Sequence, residues 1–150
     1  MRNKRQVIPA VGLLGIAAFA GYMVVQLSAQ AAPVTGNFTN AAMAEVKDAQ
    51  GQVILRGTFQ QVAEEDDDVE RKATLEPTGI DADAAGEAEV EFARDAPAEQ
   101  EVEFSIRNVA PGSVLTFTID GTQVGTAKAE SNGEAELELD VRMSAAAASR

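Results

Sequence analysis

With 150 residues and neither cysteine nor histidine, the chain has room for one globular domain. It has no means for a disulfide framework, a thiolate zinc site, a cysteine nucleophile or an imidazole base. Its 24 acidic against 12 basic side chains give a formal net charge of -12, which repels nucleic acid and anionic membrane surfaces and leaves cations or basic partners as the charged ligands of choice.

The chain begins with Arg2, Lys4 and Arg5, followed by the uncharged run Val7–Val25 and then by Ala29-Gln30-Ala31. A positive start, an apolar middle and an A-x-A exit are the marks of a secretory signal peptide. The run exceeds the ~7–15 residues usual for such a middle region and approaches the ~20 that span a bilayer as a helix. Residues 1–31 therefore read as a signal peptide or as an uncleaved signal anchor formed by a hydrophobic helix over residues 7–25. Either reading exports everything after residue 31, to the periplasm, the cell surface or the medium. Contact with a membrane is expected only through an uncleaved N-terminal segment.

Residues 32–40 lack periodicity and read as a linker or edge segment. Asn37-Phe38-Thr39 within it matches a glycosylation sequon, a pattern short enough to recur by chance. Ala42–Lys47 and Gln52–Gln60 flank Asp48-Ala49-Gln50-Gly51 and predict a first hairpin, with Val53, Leu55 and Phe59 inward and Ile54 stranded on the outer face.

Glu64-Glu65-Asp66-Asp67-Asp68 cannot be buried unpaired and predicts a solvated loop. Its functional alternative is a calcium site, since calcium takes clustered oxygen ligands. Asp81 and Asp83 begin a second acidic spot with the spacing of the first two ligands of a calcium loop. Ala85 and Phe92 then stand where that loop needs an oxygen ligand and a bidentate glutamate. The candidate metal ligands are thus Asp66, Asp67, Asp68, Asp81 and Asp83. No other cofactor is expected.

Val69–Leu75 reads as a strand with Val69, Arg71, Ala73 and Leu75 on one face. Gly86–Arg94 alternates with Ala88, Val90 and Phe92 inward. From Glu101 to Val141 three turn signals, Pro111-Gly112, Asp120-Gly121 and Asn132-Gly133, separate four alternating runs, which predicts a four-stranded antiparallel meander. Its inward sets are Val102, Phe104 and Ile106; Leu115, Phe117 and Ile119; and Ala135, Leu137, Leu139 and Val141, while Thr116 and Thr118 face out. Residues 143–150 form an alanine-rich tail expected to be disordered. The domain over residues 41–142 is therefore expected to be all-β, an antiparallel sandwich or small barrel of about seven to eight strands with an immunoglobulin-like arrangement.

GEAEVEF at Gly86–Phe92 returns as GEAELEL at Gly133–Leu139. Both obey one rule for a half-buried strand after a glycine turn. Directly opposed glutamates destabilise a ladder, so these two strands are expected not to pair in register unless cations or Arg107, Lys128 and Arg142 intervene.

The pattern F-x-I-x-x-V-x-P-G-S-x-x-x-F-x-I-D-G-x-x-V-G-x-A over Phe104–Ala127, followed by Asn132–Leu139, resembles small all-β domains of uncharacterised exported bacterial proteins. The resemblance implies the fold and export, and no activity. Acid–base work would fall to carboxylates at outward strand positions, and neither a G-x-S-x-G elbow nor an S-x-x-K arrangement is present. The expectation is a non-enzymatic structural or adhesive module, with a protein partner or self-association, or alternatively an acidic calcium-responsive binding module.

Overall fold

The computed structural model describes residues 34–62 and 67–143. The expected N-terminal helix and the last residues of the tail lie outside them. The described chain is all-β, with strands β1 (Met43–Lys47), β2 (Val53–Thr58), β3 (Gln60–Gln61), β4 (Asp68–Pro77), β5 (Ala85–Ala93), β6 (Glu99–Arg107), β7 (Val114–Ile119), β8 (Thr122–Lys128) and β9 (Ala135–Arg142).

All named strands pair antiparallel along one sheet path, β8-β7-β1-β2-β4-β5-β6-β9, with β3 on β4. The path curls into a nearly closed barrel. The ninth strand arises because β3 continues the line of β2 past Phe59. Leu55 pairs Pro77 and Gln60 pairs Lys72 in a single register along β4. This long strand turns the corner of the barrel, leaving β1 after Thr58 and staying with β4.

The order overturns the expected meander. Only β7 and β8 form a paired hairpin within Glu101–Val141. β6 lies between β5 and β9, whereas β7 pairs β1 on the far side of the barrel. Alternation fixes which side chains face inward. It carries no information on which strand lies next door, and the 108–113 connection is long enough to cross the barrel.

The Asp120-Gly121 turn has positive φ at both residues (49° and 80°), the mirror-image turn whose twist matches a tight hairpin. The Asp120 carboxylate also accepts hydrogen bonds from the amides of Met43 (2.8 Å) and Ala42 (3.2 Å), tying this hairpin to the start of β1.

The inward sets bury as expected for Leu55, Phe59, Leu75, Val90, Val102, Phe104, Ile106, Leu115, Phe117 and Ile119. The rings of Phe104 and Phe117 meet at 4.8 Å and bridge the two sides of the barrel. Val53, Phe92, Leu137 and Leu139 are only partly buried. Ile54, expected outside, and Val124 are buried because of bulges. The β1–β2 register slips between Val46 and Lys47, so that β2 carries the extra residue Ile54, and Ile54 turns inward beside Leu55. A second slip, between Phe117 and Thr118, inserts Val124 on β8 and turns it inward. Thr118, expected outside, is buried as well, although it alternates with the inward Phe117 and Ile119; its hydroxyl donates to the Glu45 carbonyl at 3.5 Å.

The lead before β1 is packed. Phe38 is 5 % exposed and joins the core, and its amide donates to Gln100 Oε1 at 2.7 Å. Thr35 forms a parallel bridge with Arg142, with Gly36 N–H donating to the Arg142 carbonyl at 3.4 Å. At this end also lie residues 94–98 and the Asp120-Gly121 turn. Residues 48–52, 78–84, 108–113 and 129–134 lie at the other end, as the registers require.

Candidate functional site

The outward residues of β4, β5, β6 and β9 form three rows across the sheet. The first is Glu70, Glu91, Glu101 and Asp140; the second Lys72, Glu89, Glu103 and Glu138; the third Thr74, Glu87, Ser105 and Glu136. Among these positions Lys72 is the one basic residue. β5 and β9 do not pair, as expected from their glutamates. Yet β6 stands between them with glutamates of its own and brings all the carboxylates into register.

Sequence reasoning found the outward glutamates of each strand but not this face. The face exists only once the neighbours of β6 and their registers are known. The sheet tolerates it because like pairs cost about 0.2–1 kcal/mol each in solvent, against about 1.5–3 kcal/mol gained for each large side chain buried beneath.

Electrostatics on the face are uneven. Lys72 bridges Glu70 and Glu89, the latter at 3.2 Å. Its hydrogen bond holds the Glu70 carboxyl below its ordinary value. Glu89 is raised, chiefly by burial and then by Glu70. Glu101 is also raised, first by lost hydration and then by the charges of Glu138, Glu91, Asp140 and Glu103. A cleft of about 430 Å³ is lined by Glu91, Phe92, Glu101, Asp140 and Val141. A second groove, of about 920 Å³, lies where β2 turns the corner and is lined by Arg56, Gln60, Lys72 and Glu76.

The metal candidates do not come together. Asp66 lies outside the described residues. Asp67 is an exposed turn residue whose carbonyl accepts from the Arg94 amide at 2.8 Å, and Asp68 opens β4 opposite Ala93. Asp81 and Asp83 sit in the 78–84 connection at the other end of the barrel. Among the described residues no group of three or more acidic side chains converges as a metal cage.

Asn37 of the sequon is exposed, and its side-chain oxygen accepts from both the amide (3.1 Å) and the hydroxyl (2.7 Å) of Thr39. Arg71 lies on the inner face of β4. Its Nη1 donates to the Ala41 carbonyl at 3.4 Å, and its buried Nε has no acceptor among the described residues. Exposed large apolar residues (Met43, Val62, Ile80 and Val114) are scattered and form no patch on the acidic face. Among the described residues no helix is long and apolar enough to cross a membrane.

No family model, curated protein or solved structure matches the chain.

Proposed function

We propose that this is an exported, non-enzymatic β module that acts structurally or adhesively in the periplasm or at the cell surface. The observation that carries the reading is the broad sheet face with carboxylates in register across β4, β5, β6 and β9. An exposed face of one charge is suited to recognising an extended, oppositely charged surface. The positive start, apolar run and A-x-A exit of residues 1–31 support delivery across a membrane. The resemblance of Phe104–Ala127 to domains of exported bacterial proteins agrees with it.

Cell fractionation with N-terminal sequencing tests the reading. A chain outside the cytoplasm starting at Ala32 is cleaved and released; one starting at Met1 in the membrane fraction is anchored. A chain retained in the cytoplasm overturns export. Turnover in a screen of glycosidase and esterase substrates, abolished by substitution of the acidic face, overturns the non-enzymatic part.

A further inference from the structure

β9 ends the sheet path, and among the described residues no strand pairs with its outer edge. Met143 N–H donates to the Ala98 carbonyl on the β6 side at 2.9 Å, and the Arg142 carbonyl accepts from Gly36 on the opposite side. Backbone groups alternate in direction along a strand. The N–H and C=O groups of Glu136, Glu138 and Asp140 therefore point away from β6, and none of them meets a backbone partner among the described residues.

β8 does not cover this edge. A Cβ on Gly125 would lie 2.7 Å from Leu137 Cδ2, so β8 packs under the inner face of β9 and makes no ladder with it. The edge already accepts extended chain at its lower end, where Thr35 bridges Arg142 in parallel.

We infer that the stretch Glu136–Asp140 is a strand-addition site for an extended basic segment of another protein, with lysine or arginine alternating with apolar residues. The inference rests on the module reading above and names the partner of its acidic face. Charge complementarity selects the occupant. On the outer side an added strand would lie beside Glu136, Glu138 and Asp140, with Glu101 and Glu103 one strand further in. On the inner side it would meet the half-buried Leu137 and Leu139. A second copy of β9 is disfavoured, because two such edges would set their own carboxylates against each other.

The test uses the full-length chain, purified in mild detergent, and two short blocked peptides, one alternating lysine with valine and one alternating glutamate with valine. Amide exchange followed by NMR reads the edge directly. The lysine peptide is expected to protect the amides of Glu136, Glu138 and Asp140, and the glutamate peptide to protect none. Glu138→Pro removes one outward N–H without touching the β6 ladder and should weaken binding about tenfold. Glu138→Gln keeps that N–H. It should weaken binding less, preserve the protection pattern and make the affinity less salt-dependent, and it serves as the readout if the proline variant does not fold.

Protection at other amides, equal binding of the two peptides, or no binding overturns the edge site. Failure of the peptide with a chain found outside the cytoplasm sinks the edge and leaves the module reading standing. Binding by a chain that fractionation finds in the cytoplasm does the reverse.

Discussion

The amide of Phe38 donates a 2.7 Å hydrogen bond to Gln100 Oε1, joining the lead segment to β6 across 62 residues of chain. Gln100 is 3 % exposed, and its Nε2 donates in turn to the Pro97 carbonyl at 3.1 Å. One side chain therefore satisfies a buried donor and a loop acceptor together. Gln100→Leu keeps the volume and leaves the Phe38 amide without an acceptor. The expected cost is about 1–3 kcal/mol in denaturant unfolding. Limited proteolysis should cut within residues 34–41 earlier than in the parent. An unchanged unfolding midpoint would mean that the lead does not depend on this contact.

Stability should rise on mild acidification. Glu101 and Glu89 are raised above the ordinary 4.5 of a glutamate, so the folded chain binds their protons more tightly than the unfolded one. Their contribution is fully present below pH 4.5 and is lost as pH rises through the raised values. Glu70, lowered by Lys72, works the other way and loses its contribution as pH falls through its own value. Melting curves from pH 7 down towards that range should shift upward. Glu101→Gln should raise the neutral-pH melting temperature by about 1–5 °C, given ~0.2–1 kcal/mol for a like-charge pair, and should flatten the rise. A melting temperature that falls steadily on acidification would refute this account.

Salt should act in the same direction. The Debye length shrinks from ~30 Å at 0.01 M to ~8 Å at 0.15 M, which weakens repulsion among exposed carboxylates. Sodium chloride should therefore raise the melting temperature, and calcium at matched ionic strength should add nothing. A calcium-specific rise at millimolar concentration, with heat in calorimetry, would instead favour the cation-responsive module and call for ligands beyond Asp67, Asp68, Asp81 and Asp83.

Two glycines separate backbone from side-chain constraint. A Cβ on Gly57 would clash with the Thr74 carbonyl oxygen, where the β2–β3 line turns the corner of the barrel. A Cβ on Gly125 would meet the half-buried Leu137 side chain at 2.7 Å, which can rotate away. Gly57→Ala should cost about 1–3 kcal/mol or more in chemical unfolding, and Gly125→Ala clearly less. The reverse order would place the tight contact at the β8–β9 seam.

The strands were legible because period-two alternation and turn residues are local properties, and eight runs read from them correspond to the observed strands. Ile54 and Val124 show where locality fails. A bulge residue turns inward only because its partner strand slips, and the partner is not written in the run itself. Phe38 escaped for a related reason: one aromatic in a polar lead has no period, and its place in the core depends on Gln100. The same limit hid the acidic face. Alternation alone points each glutamate of β5 and β9 outward, while their alignment through Glu101 and Glu103 depends on the position of β6.

The bridge between Thr35 and Arg142 brings the two ends of the described fold together at one end of the barrel. The covalent order of the strands is then nearly circular. Joining residues 34 and 143 by a short linker and opening the chain between Gly79 and Ile80, at the opposite end, would preserve every ladder while moving both termini there. A circularly permuted chain of this kind would carry the same acidic face and the same free edge on β9, with its attachment point inverted.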